Sequence, residues 1–334
     1  MLEQVLKILK ENQGRYVSGE ILAQKLGITR AAIWKQLVRL KEIGYEIEAA
    51  PRKGYCLKSV TPVSGLHPLE IKDGLHTLRF GQVIYEQREV DSTNRWAKTL
   101  ARENKAPEGT LVIAESQTGG RGRIGRNWVS APGLGLWFSL ILRPQMSMSA
   151  LAGIMLLTAV SMAKAIHQVT GVQVQIKWPN DLMFQSRKLV GILAELNGEI
   201  DRVNYLIVGI GVNVNHSESD FPVELRNIAN SLRVITGKEC SRRFLLQTFL
   251  QEFETAYDRL LQSGMADSLE YAKTYSATLG KKIKVNLGTG RILEGEALDL
   301  EADGSLLIRE PSGESLRIYS GDVIEKSDQE TLEE

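Results

Sequence analysis

Residues 115–133 read Glu-Ser-Gln-Thr-Gly-Gly-Arg-Gly-Arg-Ile-Gly-Arg-Asn-Trp-Val-Ser-Ala-Pro-Gly, and the fold class turns on the residues just beyond their glycines. Gly120-Arg-Gly-Arg-Ile-Gly125 matches the letters G-x-G-x-x-G of a dinucleotide-binding loop. That loop works only where it opens a helix whose N-terminus receives a pyrophosphate. Here the chain continues as Arg126-Asn-Trp-Val-Ser-Ala-Pro-Gly and then an apolar strand, so the dinucleotide reading fails. No G-x-x-x-x-G-K-[ST] pattern occurs in the chain, which removes the P-loop class as well. The remaining reading is a basic glycine loop carrying Arg121, Arg123 and Arg126. Glycine lets backbone N–H groups approach an anion, and guanidinium forks match phosphate or carboxylate oxygens in pairs. A solvated surface turn or a nonspecific RNA contact would use the same residues.

On both sides of this loop, from about residue 70 to 275, strand-like runs alternate with helical patterns. The strands are GQVIYEQREV, TLVIAESQ, GLWFSLILR, VQIKWP, KLVGILAEL and NYLIVGIGVNV; the helices are Asn94–Glu103, Ser149–Thr170 and Arg242–Ser263. One sheet with helices packed on it is predicted, with strand direction left open. From Leu279 to Lys326, KIKVNL, RILEGEALDL, SLLIRE and SLRIYSG are short strands between Gly-containing turns, the pattern of a small barrel. The acidic tail after Ser327 is expected to fray.

The first 60 residues differ from the rest. They hold 11 Lys/Arg and 6 Asp/Glu, a net of +5, against 30 and 34, a net of −4, in the remainder. Leu2, Val5, Leu6 and Leu9 have helical spacing; Ser18 and Thr29 are N-cap candidates for two further helices separated at Gly27. Two helices around a tight turn make a helix-turn-helix, and YEIEAAPRKGYCL reads as the hairpin of a wing. A Ser/Thr/Pro linker, SVTPVSGLHP, closes the module. Arg30, Trp34, Lys35 and Arg39 on the third helix, with Arg52 and Lys53 on the wing, are the candidate DNA contacts. A small helical domain with a charged face toward water is the plainer reading.

The whole chain, 334 residues with 43% hydrophobic and 24% charged residues and a net charge of +1, excludes wholesale disorder, a nucleic-acid coat and a polybasic membrane binder. Cys56 and Cys240 offer too few ligands for structural zinc; one disulfide is conceivable, and a reducing cytoplasm fits better. Glu3 interrupts any secretory leader, and the apolar stretch Ala150–Leu157 is broken by Thr158, Ser161 and Lys164, as in a buried helix. No membrane partner and no protein-held metal cluster are expected.

Glu115-Ser-Gln-Thr118 with the Gly-Arg-Gly-Arg loop, then Lys177-Trp-Pro-Asn-Asp181, Arg187-Lys-Leu-Val-Gly-Ile-Leu193 and Gly209-Ile-Gly-Val-Asn-Val-Asn215, in that order, resemble the biotin protein ligase family. With a winged helix in front, the resemblance is to its bifunctional type, ligase and biotin-operon repressor. It covers essentially the whole chain. It implies an α+β multidomain protein: a winged helix-turn-helix over 1–62, a class II synthetase-like mixed α/β catalytic domain over 63–277, and an SH3-like β-barrel over 278–334. The implied reaction joins the biotin carboxylate to the α-phosphate of ATP, with Mg²⁺, and then passes the biotinyl group to a carrier lysine. The implied partners are the biotin carboxyl carrier protein of acetyl-CoA carboxylase, operator DNA and, in the adenylate-bound state, a second copy of the chain.

Residue by residue, the resemblance assigns Ser92, Thr93, Asn94, Gln117, Arg121, Gly122, Arg123, Lys188, Gly191, Gly209 and Gly211 to biotin. It assigns Arg123, Arg126, Asn180, Asp181 and Asn213 to the nucleotide, and makes Arg121, Arg123 and Lys188 the catalytic cations. Alternative roles stay open. Ser92 could simply cap the next helix, Trp178-Pro-Asn-Asp181 could simply turn the chain, and Trp128 could cover the loop or belong to the core. None of His67, His76, His167 and His216 lies in a matching motif. A carboxylate ionised at neutral pH needs no general base, so fixed cations carry the first step. The glycine loop is expected to order over the ligand and exclude water. A ligand-sensing repressor without catalysis and a lipoate–protein ligase are the competing readings.

Overall fold

The computed structural model describes residues 1–58, 66–103, 105–145, 151–199, 202–288 and 291–324. The linker expected over 59–68 lies mostly outside them, as do Ser149 and the tail after Ser327. The chain forms two compact units, Met1–Asp73 and Gly74–Glu334.

In the first unit, α1 (Leu2–Glu11) buries Val5, Leu6, Ile8 and Leu9. The Ser18 hydroxyl accepts from Ile21 N at 3.1 Å to cap α2 (Gly19–Leu26), and Thr29 accepts from Ala32 N at 3.2 Å to cap α3 (Arg30–Ile43). Between them Gly27 turns the chain at φ 65°, a conformation that favours glycine. Leu22, Ile33, Leu37 and Leu40 meet the antiparallel hairpin β1 (Ile47–Ala50) and β2 (Gly54–Leu57) through Ile47 and Leu57. The helix-turn-helix and its wing are both present. A short α4 (Pro68–Lys72), which begins at the last residue of the expected linker and which hydrophobic spacing did not reveal, belongs to this unit. Its buried Glu70 accepts from the Tyr45 hydroxyl and pairs with Lys10 at 2.7 Å.

The second unit is built on a seven-stranded sheet. In chain order its elements are β3 (Ile84–Val90), α5 (Thr93–Arg102), β4 (Thr110–Gln117), β5 (Gly135–Leu142), α6 (Leu151–Thr170), β6 (Gln175–Lys177), β7 (Asp181–Phe184), β8 (Arg187–Glu199), β9 (Arg202–Asn213), α7 (Leu232–Thr236), α8 (Arg242–Ser263) and α9 (Ala266–Thr274). The strand order is β3-β4-β5-β9-β8-β7-β6, with only β3–β4 parallel. VQIKWP is therefore not one strand: it ends at Lys177, and the Trp-Pro-Asn-Asp turn reverses it into β7. Every residue of β5 is buried, as its continuous apolar run demands. Its side chains alternate. Phe138 packs on Phe249 of α8 at 5.4 Å, while Ile141 joins Ala97, Leu100 and Ala101 of α5 on the opposite face. The candidate site lies on that α5 face. Helix α6 has the length and composition of a membrane span, but two-thirds of it is buried within the protein.

The C-terminal part is an antiparallel sheet of β10 (Lys282–Asn286), β11 (Ile292–Leu300), β12 (Leu306–Arg309), β13 (Ser315–Ile318) and β14 (Asp322–Ile324), in the order β13-β12-β11-β10-β14. Trp178 fastens it to the larger sheet: its indole N–H donates to Gly304 O at 3.0 Å and its backbone N–H to Thr278 Oγ1 at 3.0 Å.

Candidate active site

The sheet, the glycine loop and the C-terminal strands enclose a cavity of about 290 Å³. All fifteen residues that the sequence singled out in this unit line it: Ser92, Thr93, Asn94, Gln117, Arg121, Gly122, Arg123, Arg126, Asn180, Asp181, Lys188, Gly191, Gly209, Gly211 and Asn213. They come from the start of α5, the end of β4, the loop after it, the β6–β7 turn, and β8 and β9.

One end is a hydrogen-bonded lattice of hydroxyls and carboxamides, backed by the Glu195–Lys98 ion pair. Ser92 is the N-cap of α5 but its hydroxyl makes no capping bond, so that simpler role is not the one it plays. Thr93 donates its backbone N–H to Gln117 Oε1 at 2.8 Å, and Gln117 Nε2 donates to Ser130 Oγ at 2.8 Å. The fully buried Ser139 hydroxyl donates to Asn94 Oδ1 at 2.7 Å and lies 2.8 Å from Thr93 Oγ1. Asn94 Nδ2 donates in turn to Glu195 Oε2 at 2.8 Å, and Glu195 pairs with Lys98. A Cβ at Gly209 would collide with the Asn94 carboxamide, so this glycine is what admits the asparagine. Ser139 and Glu195 escaped the sequence reading, because a serine inside an apolar strand and a glutamate on a strand carry no motif.

The other end is cationic. The loop folds on itself: Gly122 N–H donates to Arg126 O at 2.7 Å and Trp128 N–H to Gly120 O at 3.0 Å. Arg123 Nη1 donates to Asn180 Oδ1 at 2.8 Å and Nη2 to Gly321 O at 2.6 Å, while Arg126 pairs with Asp322 at 3.2 Å. Lys188 Nζ is 2.7 Å from Asp181 Oδ2 and 5.5 Å from the Trp128 ring centre. The Trp128 indole lies on β8 and β9, where Cβ atoms at Gly191 and Gly211 would come within 2.8 and 2.5 Å of it. Trp128 thus packs on the two strands as part of the cavity lining, a placement that neither a cover for the loop nor a core residue describes. The indole N–H and Asp181 Oδ1 are buried without a hydrogen-bond partner among the described residues.

The third wall follows β9 and was not foreseen. His216, Phe221, Leu225, Ile228 and Ala229 line it. His216 is 2% exposed, and burial holds its imidazole down at about 4, against 6.5 ordinarily. Gly321 and Asp322 were not foreseen either; they reach the loop from about two hundred residues further along.

In the first unit Arg30, Trp34, Lys35 and Arg39 are exposed on α3, and Arg52 and Lys53 on the wing turn, where Arg52 takes φ 64°. Trp34 is 58% exposed, unusual for an indole with only solvent beside it.

A helix-turn-helix unit followed by a body with a cation-rich cavity defines a DNA-binding protein that also handles an anionic small molecule. Family models agree along the chain: an HTH domain matches residues 2–56, the biotin/lipoate A/B protein ligase family residues 86–213, and the biotin protein ligase C-terminal domain residues 278–324. The bifunctional ligase/repressor BirA of Bacillus subtilis is 38% identical over 319 residues, covering 96% of this chain and 97% of the relative. The Escherichia coli protein of the same name is 30% identical over 297 residues, 89% of each. Biotin protein ligase from Aquifex aeolicus, solved with biotin and ATP, superposes with a TM-score of 0.63 at 32% identity, covering 73% of this chain and 98% of that one. The chain belongs to the BirA family of bifunctional ligase/repressors.

Proposed function

We propose that this chain is an ATP-dependent ligase that activates biotin as biotinyl-5′-AMP and transfers it to a carrier lysine, and that it also represses biotin genes in response to that intermediate. One observation carries the catalytic half: five separate stretches of the sequence converge on one cavity, hydrogen-bonding at one end and cationic at the other.

The hydrogen-bonding end suits a ureido ring, with the Ser92 hydroxyl, Thr93, Asn94 and Gln117 offering donors and acceptors. The carboxylate would then extend toward Lys188 and the arginines. In the first step a carboxylate oxygen forms a bond to the α-phosphorus of ATP and the bond to the β-phosphate oxygen breaks, releasing pyrophosphate. Two anions must meet, so Arg121, Arg123 and Lys188 act by offsetting their repulsion with charges already in place. In the second step the carrier amine bonds to the acyl carbon, AMP leaves, and the amine gives up a proton. The loop residues exclude water from the mixed anhydride between the steps.

Mg²⁺ fits this wall. Its usual protein ligands are one or two carboxylates beside substrate phosphates, and Asp181 Oδ1 is a buried oxygen without a partner among the described residues. Asn180 is committed to Arg123 and to Ile192 O, so Asp181 is the ligand we assign. The ion would neutralise charge on the phosphates. Asn213 is assigned to adenine and Arg126 to the phosphates. The C-terminal sheet is read as an SH3-like barrel and the catalytic body as class II synthetase-like, with domains over 1–62, 63–277 and 278–334.

The acceptor on this reading is the biotin carboxyl carrier protein of acetyl-CoA carboxylase, in the cytoplasm. The adenylate-bound chain would pair as a homodimer and place two winged helices on an operator. The test is full-length protein with ATP, labelled biotin and a carrier domain. ATP-dependent label on the carrier is expected; absence of both label and pyrophosphate release would refute the catalytic half. In a gel shift, operator binding should strengthen with biotin plus ATP, and binding indifferent to them would remove the sensor. Six neutralised phosphates would give a log–log salt slope of about −5.

A further inference from the structure

His216 is a buried titratable group in the cavity wall that the adenylation mechanism leaves unused. Its backbone carbonyl accepts from the buried Ser231 hydroxyl at 2.6 Å, and that hydroxyl also caps α7 by accepting from Val234 N. The imidazole stacks on Phe221 with centroids 4.9 Å apart and planes 15° from parallel. On another side the Trp137 ring lies 5.9 Å away at 65°. Trp137 is fully buried, and its indole N–H donates to Ala131 O at 3.2 Å. The backbone of His216 is thus tied to the start of α7, and its imidazole, whose Nδ1 is buried without a hydrogen-bond partner among the described residues, is held by its ring contacts with Trp137 and Phe221. Phe221 sits outside regular structure of that length, between the short 3-10 turns Glu218–Asp220 and Val223–Leu225.

We propose that His216 is a positioning residue for the nucleotide: by stacking on Phe221 it holds that ring in the wall shared with Asn213, where a nucleobase would lie. The inference rests on the adenylation reading and assigns to this chain a residue that no motif marks. A phenylalanine at 216 would supply the same stacking face, whereas an alanine would leave Phe221 to adopt several rotamers, and binding would then have to order it.

Pyrophosphate release separates the possibilities. His216→Ala should raise the KM for ATP about five- to tenfold, the scale of one lost aromatic contact, and leave the KM for biotin within about twofold. His216→Phe should restore the ATP value. Phe221→Leu should reproduce the defect, and adding His216→Ala to it should cost little more. An unchanged ATP KM in folded His216→Ala overturns the proposal. So does a rise in the biotin KM by the same factor, or a failure of His216→Phe to rescue. If His216→Ala does not fold, the Phe and Leu variants still decide: an ATP defect in His216→Phe, or none in Phe221→Leu, counts against it. Wild-type protein without nucleotide-dependent pyrophosphate release would instead overturn the adenylation reading on which the inference stands.

Discussion

The two ends of the cavity are built on opposite principles. Thr93, Asn94, Gln117 and Ser139 are tied to one another by hydrogen bonds inside regular structure, and most of their polar atoms are engaged before any ligand arrives. Arg121, Arg123 and Arg126 ride on a glycine loop, held by contacts that reach across to the β6–β7 turn and the C-terminal sheet. A neutral ring is recognised by geometry, which a rigid lattice supplies. Charge acts over longer distances, so a loop can supply it and still open for entry and exit.

If that contrast is right, losing a cation should cost rate and disturbing the lattice should cost affinity. Lys188→Ala should slow biotinyl-AMP formation by about 10²–10³-fold, the loss expected for a preorganised charge at the reacting oxygens; quenched-flow measurement with a biotin KM within about threefold of wild type would support the division. Gly209→Ala forces a methyl group against a pinned asparagine, and overpacking of about 1–3 kcal/mol should weaken biotin binding about 10- to 100-fold in calorimetry. Were the two variants to trade phenotypes, the contrast would be wrong.

Acid should distinguish the third wall. Burial depresses the His216 imidazole against the opposing pull of Asp220, so the unfolded chain binds the proton more readily. Its contribution to stability is therefore complete above about pH 6.5 and is lost as pH falls toward 4, by about 2 kcal/mol after solvent screening. Denaturant titrations should show His216→Phe gaining on wild type by about 2 kcal/mol as pH falls through that window. The smallest effect is expected from Asp322→Asn, which removes the partner of a largely exposed Arg126 and should speed loss of the intermediate no more than about threefold.

Local spacing revealed most of the architecture. The apolar run GLWFSLILR marked the strand β5, Ser18, Thr29 and Gly27 marked the helix-turn-helix, and the text after Gly125 excluded a nucleotide-binding helix. Spacing could not reveal α4, whose five residues have no full amphipathic period, or the division of VQIKWP at its turn. The fifteen cavity residues were found because they sit in motifs. His216, Phe221, Ser139 and Gly321 were missed because their roles arise from partners far along the chain or from burial. Hydrophobic periodicity records neither the burial of a polar side chain nor a ring contact made through a loop, even between residues as near in sequence as His216 and Phe221.

The grip of Arg123 on the Gly321 carbonyl has a bearing on biosynthesis. A ribosome that has delivered every strand of the seven-stranded sheet has still not delivered this brace. A nascent chain would accordingly complete the strands around the cavity before it can fasten the glycine loop, and the clasp closes only when the C-terminal strands have folded against the body.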